Sequence, residues 1–153
     1  MQFFLNEECK DAINFSDFVN SLTIKLDDLD LTKDKGLVEG ISSVFVNGLK
    51  QLDMYKRPIH CTDMKRETLY IKDANSWGKD DKTKIKQSIS DIATMKRKAI
   101  QDWTDAHPNW MDDIQLQQEY VQLINKVMSP IEDDNLGENK IIKNIAKEVT
   151  INK

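Results

Sequence analysis

Residues 57–79 read RPIHCTDMKRETLYIKDANSWGK and are the one stretch of the 153-residue chain whose pattern is not helical. Pro58 disfavours continuation of any preceding helix and is typical of extended backbone. Residues 59–61 then read as a short strand, and residues 67–72 alternate between apolar and polar types in the manner of a half-buried strand. A third short strand is predicted from Trp77. The stretch therefore predicts a β-hairpin or a three-stranded meander, which needs a helical neighbour for stability.

Most of the rest of the chain has helical periodicity, so we predict a mainly α (α+β) fold with four to five helices packed around this small antiparallel hairpin or meander. One domain is expected over 1–153, with its core at about 14–129 and an acidic loop plus a short C-terminal helix over 131–153. Residues 1–14 are interpreted as a docked tail or a short edge strand. Helices are predicted over 15–26, 33–52, 80–103, 111–128 and 137–149, with a linker over 27–32.

Two glycines lie eight residues apart on one side of the helix predicted over 33–52. Gly40 and Gly48 either weaken this helix or let another element, such as the hairpin, approach closely. In the helix predicted over 111–128, the spacing of the apolar residues predicts an inward face. Its members are Ile114, Tyr120, Val121, Ile124, Val127 and Met128.

The charge is distributed unevenly along the chain. The net charge of −4 divides into −5 over 1–53, +6 over 54–98 and −5 over 99–153. The basic middle is either an anion-binding surface or a region that the acidic flanks neutralise in the folded domain. No stretch is apolar enough to span a membrane, and the N-terminus lacks the features of a secretory signal. We therefore expect an intracellular protein.

Few residues qualify for metal or nucleophilic chemistry. Cys9, His60, Cys61 and His107 would all have to converge to close a zinc site, and their spacing does not favour this. In a strand, His60 and Cys61 point to opposite faces. A Cys61–His107 pair is conceivable but nothing in the pattern supports it. We expect no metal, no cofactor and two free thiols in a reducing compartment.

Paired carboxylates are the third kind of catalytic group that we consider. A restriction-type nuclease places an acidic residue, one spacer and a lysine on one strand, whereas Glu67 and Lys72 are five apart. A strand puts them on opposite faces. Asp63 is better explained by turn formation, and no Gly-rich phosphate loop is present. The sequence therefore predicts a non-enzyme.

The remaining class of function is recognition of a binding partner. Basic side chains on a β-ribbon can contact phosphates, and an exposed aromatic ring can stack on a base. The predicted contact residues on the hairpin and the following helix are Lys65, Arg66, Tyr70, Lys72, Trp77, Lys96, Arg97 and Lys98. The alternative is an acidic contact surface for a basic protein. Its predicted residues are Asp27, Asp28, Asp30, Glu132, Asp133 and Asp134.

The hairpin sequence resembles a segment found in a group of viral proteins. The runs 58–63 (PIHCTD), 65–67 (KRE) and 70–73 (YIKD) resemble a segment of uncharacterised proteins of large nucleocytoplasmic DNA viruses and of related phage proteins. The resemblance covers about 14–128 and implies a viral protein that acts near nucleic acid or the host response. It implies no reaction. Some of those proteins carry an upstream zinc finger, and this chain has no Cys-x₂₋₄-Cys to form one.

Together these patterns predict a non-catalytic viral interaction domain that binds nucleic acid or a nucleoprotein complex through its basic hairpin and helix face. The alternative is a viral or phage inhibitor or assembly factor that binds a host or viral protein through the acidic flanks. Neither the partner nor the oligomeric state follows from the sequence.

Overall fold

The computed structural model describes residues 3–129 and 135–151. These contain six α-helices and one three-stranded antiparallel sheet, which confirms the predicted mainly α fold with a small meander. The helices are α1 (Phe15–Ser21), α2 (Leu26–Lys35), α3 (Leu37–Lys50), α4 (Thr83–Ala106), α5 (Ile114–Val127) and α6 (Asn135–Glu148). The strands are β1 (Ile59–Asp63), β2 (Thr68–Asp73) and β3 (Ser76–Lys79). A π-helical turn over Phe4–Glu8 stands where a tail or edge strand was predicted.

The linker predicted over 27–32 is wrong, because these residues form most of α2. The Asp28 side chain accepts a hydrogen bond from the Lys25 backbone N–H at 2.8 Å, which satisfies one donor at the start of the helix. The acidic residues that suggested a solvated linker are favourable at a helix N-terminus. Gly36, with φ of 96°, separates α2 from α3. The helix predicted over 15–26 accordingly ends early, at Ser21.

Both glycines of α3 allow another helix to approach. A methyl group at Gly40 would overlap the Thr32 side chain of α2, and one at Gly48 would lie 2.6 Å from the Leu22 side chain that follows α1. The close-approach interpretation is therefore confirmed. The approaching elements are helices, however, and not the hairpin.

Two apolar clusters form the core, and α4 runs through both. The larger one joins the sheet to α1, α3, α6 and the first half of α4. The smaller one joins α2, α5 and the second half of α4 around the buried Trp103. At α6, the predicted core residues Ile141, Ile142, Ile145 and Val149 are all buried.

The end of α6 joins the sheet directly. The Cys61 N–H donates to the Val149 carbonyl at 2.9 Å, and the Ile151 N–H donates to the Cys61 carbonyl at 3.0 Å. These bonds extend β1 in parallel, so the C-terminal helix is docked against the core.

The predicted inward face of α5 is partly wrong. Ile114, Val121 and Met128 are exposed. The side that packs on α2 and α4 includes Leu116, Tyr120, Leu123, Ile124 and Val127. Apolar residues lie on both sides of α5, so their spacing alone does not select the buried side.

None of the helices among the described residues has the length and apolar content needed to cross a bilayer.

Candidate contact site at the hairpin

The hairpin is held by its buried face. Cys61 pairs with Leu69 and Ile59 pairs with Ile71 across β1 and β2. All four side chains are buried against the larger cluster. The ladder shifts register between Cys61 and Asp63, immediately before the turn. Such bulges twist a strand and re-aim the residues beyond it, which here are the residues of the tip.

The tip places Lys65 and Arg66 in solvent, as the sequence predicted. The Arg66 side chain is 85% exposed, and its guanidinium lies 3.8 Å from the Asp63 carboxylate. The same carboxylate accepts the Arg66 backbone N–H at 3.2 Å, which closes the turn. The Lys82 ammonium donates to the Glu67 carbonyl and ties the tip to the start of α4. Two basic side chains therefore project from a turn whose backbone is fixed at both ends.

Tyr70 and Lys79 extend this basic tip. They are directly paired across β2 and β3, so their side chains share one face of the sheet. Tyr70 is half-buried and Lys79 is exposed. Sequence reasoning included Tyr70 but missed Lys79, because the third strand was predicted to begin at Trp77 without its length. Alternation along β3 would have placed Lys79 on the same face as Trp77.

Lys72 is not a surface contact, contrary to the prediction. It is only 7% exposed, because the N-terminal residues cover this part of the sheet. Its ammonium donates to the Lys10 carbonyl at 2.7 Å and to the Ala12 carbonyl at 2.6 Å. These bonds anchor the N-terminal segment, so the side chain is structural.

Trp77 is also engaged by the N-terminal segment. Its ring is half-buried, and its Nε1–H donates to the Cys9 carbonyl at 3.2 Å. The ring lies 5.7 Å from the His60 ring, which in turn meets Phe4 edge-on at 5.4 Å. The Trp77 ring is therefore partly used in packing, and its predicted role in base stacking stays a prediction.

His60 and Cys9 form a buried pair beneath this cover, with 3.7 Å between Nε2 and Sγ. Burial, together with the Arg57 charge, lowers the pKa of His60 to about 4. Burial, together with the Glu8 charge, raises the pKa of the Cys9 thiol to about 11. At neutral pH both groups are uncharged. A nucleophilic cysteine needs the thiolate, so this pair packs the sheet and is not an activated dyad.

The predicted 96–98 cluster does not form one surface. Lys96 is fully buried between α2 and α4, and its ammonium donates to the Asp28 carbonyl at 3.3 Å. Burial lowers the pKa of Lys96 to about 8, against the opposing effect of the Asp28 charge. Arg97 is half-buried and donates to the Val127 carbonyl at 3.4 Å, which leaves Lys98 exposed.

Lys98 is also far from the tip. It lies sixteen residues after Lys82 along α4. At 1.5 Å per residue, this is about 24 Å from the helix start where the tip is tied. The basic middle third of the chain is therefore divided into separate exposed and buried parts.

The structure also supports only part of the predicted acidic contact surface. Asp28 is used at the start of α2, and Asp30 lies 3.9 Å from the Lys33 ammonium. Asp27 is exposed. The other three predicted residues, Glu132, Asp133 and Asp134, lie outside the described residues.

Within the part of the chain that the structure describes, no group of three or more His, Cys, Asp or Glu side chains could hold a metal ion. The Cys61 thiol faces the core and touches the Met64 sulfur at 4.0 Å. His107 stacks on Trp103 with ring centroids 4.3 Å apart. Cys61 lies in the larger cluster, whereas His107 packs on Trp103 of the smaller one, so the Cys–His pairing considered from sequence does not form.

No family model, no curated protein and no solved structure matches this chain. The resemblance to viral segments therefore stays a prediction.

Proposed function

We propose that the protein is a non-catalytic interaction domain that binds single-stranded nucleic acid, free or within a nucleoprotein complex, through the hairpin tip. The observation that carries the proposal is the exposure of Lys65 and Arg66 on a turn that is fixed at both ends. A fixed basic turn binds phosphates with little loss of conformational freedom. The resemblance to viral segments suggests that this binding takes place in a viral setting, and we include that setting in the proposal.

The chemistry of the tip favours a single strand. Lys65, Arg66 and Lys79 supply exposed cations for phosphates, and the partly exposed Tyr70 ring lies in the same row as Lys79. Stacking of an unpaired base on an aromatic ring contributes about 1–3 kcal/mol, whereas a base inside a duplex has no free ring face. No step of covalent chemistry is invoked, and the uncharged state of Cys9 and His60 at neutral pH is consistent with this.

The small number of exposed cations at the tip limits the strength of binding. Three cations displace about three counterions, so the logarithm of the association constant should fall with the logarithm of salt concentration with a slope of about −2 for a single strand. We expect weak binding that is measurable at low salt.

This is tested by fluorescence anisotropy of labelled single-stranded DNA and RNA of mixed sequence, titrated with the protein at several salt concentrations. A slope near −2, and weaker binding of a duplex of equal length, are the expected results. Absence of binding at low salt, or affinity that does not change with salt, would contradict the proposal.

The alternative function is binding of a basic protein through acidic residues. It has less support, because Asp28 is used at the start of α2, and Glu132, Asp133 and Asp134 lie outside the described residues. Asp27 and Asp30 alone form a small exposed contact surface.

A further inference from the structure

Residues 4–12 lie across the outer face of the sheet, and we call them the N-terminal cover. The Lys72 ammonium donates to two backbone carbonyls of the cover, at 2.7 Å and 2.6 Å. The Trp77 indole N–H donates to a third, that of Cys9, at 3.2 Å. These three hydrogen bonds run from side chains of the sheet to neutral backbone groups of the cover.

The cover is separate from the core. Leu5, Cys9 and Ala12 are buried, yet none of them belongs to either apolar cluster of the described residues. The chain joins the larger cluster at Ile13, which packs against it and whose N–H donates to the Lys56 carbonyl at 3.1 Å. The cover can therefore leave the sheet as a unit, hinged at Ile13, without opening either cluster.

The covered part of the sheet continues into the open row beside the tip. Alternate residues of a strand share a face, so Lys72 and Trp77 lie on the same side of the sheet as Tyr70 and Lys79. Trp77 and Lys79 are two residues apart on β3, which is about 7 Å. A single strand that is bound at the tip and follows this face therefore meets the cover next.

The cover occupies groups that a nucleic-acid strand would use. An ammonium binds a phosphate oxygen through a charge-assisted hydrogen bond, which is stronger than its bond to a neutral carbonyl. An aromatic ring stacks on an unpaired base when its face is free. Lys72 and Trp77 are paired directly across β2 and β3, so departure of the cover makes one cation and one ring available together.

We propose that the N-terminal cover is an autoinhibitory segment that competes with single-stranded nucleic acid for Lys72 and Trp77. This inference rests on the proposed function of the tip. While the cover is closed, the strand contacts only the tip and the row formed by Tyr70 and Lys79. When the cover leaves, the site gains a fourth cation and a second aromatic ring. The apparent affinity therefore depends on the fraction of molecules in which the cover is open.

Thiol labelling of Cys9 measures whether the cover leaves. Leu5→Ser weakens the apolar contact of the cover and should make Cys9 react faster with a thiol reagent. Phe3→Ser is the matched control, because Phe3 is 72% exposed, and it should leave the rate unchanged. Mass spectrometry assigns the label to its cysteine. Cys61 lies in the larger cluster and should stay unlabelled in every protein, which shows that the core remains folded.

Fluorescence anisotropy of a labelled single strand measures the inhibition. Leu5→Ser should bind at least about fivefold more tightly than the unmodified chain, which is the low end of what stacking of one base contributes. The slope of the logarithm of the association constant against the logarithm of salt concentration should steepen from about −2 to about −3, because Lys72 adds a phosphate contact. Phe3→Ser should bind like the unmodified chain.

Lys72→Gln distinguishes competition for Lys72 from a purely structural role of this side chain. The substitution removes two hydrogen bonds to the cover, so Cys9 should react faster. The cation is lost as well, so the salt slope should remain about −2 although the cover is open. A structural role alone would not make the salt slope depend on Lys72.

The proposal is overturned if Cys9 stays protected in Leu5→Ser, or if Cys61 reacts along with it. It is also overturned if Cys9 becomes reactive while the affinity and the salt slope of Leu5→Ser equal those of an unmodified chain that binds measurably. That result would leave the tip as the binding site. Absence of binding by every protein at low salt would overturn both the role of the cover and the proposed function.

Discussion

Trp103→Ala is expected to lower the free energy of unfolding by about 3–5 kcal/mol, the range for deleting a large buried aromatic side chain. Trp103 is 2% exposed and lies at the centre of the smaller cluster. Its ring stacks on His107 at 4.3 Å and contacts Tyr120 at 5.7 Å between centroids. The cavity left by alanine would be lined by α2, α4 and α5, which pack together around this cluster.

Urea unfolding followed by far-UV circular dichroism measures the effect. Trp110→Ala is the matched control, because Trp110 is half-buried and sits at the cluster's edge, stacked on Tyr120 at 4.2 Å. We expect it to cost less than half as much. Equal losses for the two variants, or a loss below about 1 kcal/mol for Trp103→Ala, would show that this cluster is not a core.

His60 should make the fold lose stability in acid. The unfolded chain takes up a proton at this side chain below its ordinary pKa of 6.5, whereas burial and the Arg57 charge hold the folded pKa at about 4. The unfolded state therefore binds more protons between these values, and stability falls as pH falls from about 6.5 to about 4. The loss from this one group is about 3 kcal/mol.

Comparison with His60→Phe isolates this contribution from the carboxyl groups that titrate in the same range. Unfolding free energies of both proteins are measured from pH 7 to pH 4. The unmodified protein should lose about 3 kcal/mol more than the variant across the range. If both proteins lose the same unfolding free energy between pH 7 and pH 4, then His60 is open to water in the folded state. The N-terminal residues would then not cover it.

Much of the fold follows from periodicity. The strands were predicted within a few residues because Leu69 and Ile71 alternate with polar neighbours, and the docking of α6 follows from its four apolar residues at helical spacing. The start of α2 was missed because a run of aspartates resembles a linker, although one of them caps the helix. Local composition alone does not distinguish a solvated linker from the start of a helix that is rich in aspartate.

The site was predicted less completely, because sequence shows which faces exist but not what covers them. Lys72 points to the outer face of the sheet as alternation requires, yet the N-terminal segment covers that face. Lys96 lies on the buried side of α4, where a lysine is rare. Lys65 and Arg66 combine a turn pattern with exposed side chains, and their role in binding stays a prediction.

We expect nucleic acid to bind to the hairpin tip and not to respond to net charge alone. The most direct test compares single-strand affinity at low salt for two charge-reversed proteins of equal net charge. One is Lys65→Glu with Arg66→Glu, and the other is Lys35→Glu with Lys98→Glu, whose side chains are exposed away from the tip. We predict at least about a tenfold loss for the first, equivalent to about 1.4 kcal/mol, and less than about threefold for the second. Equal losses for the two proteins, or none for the first, would contradict binding of nucleic acid through the tip.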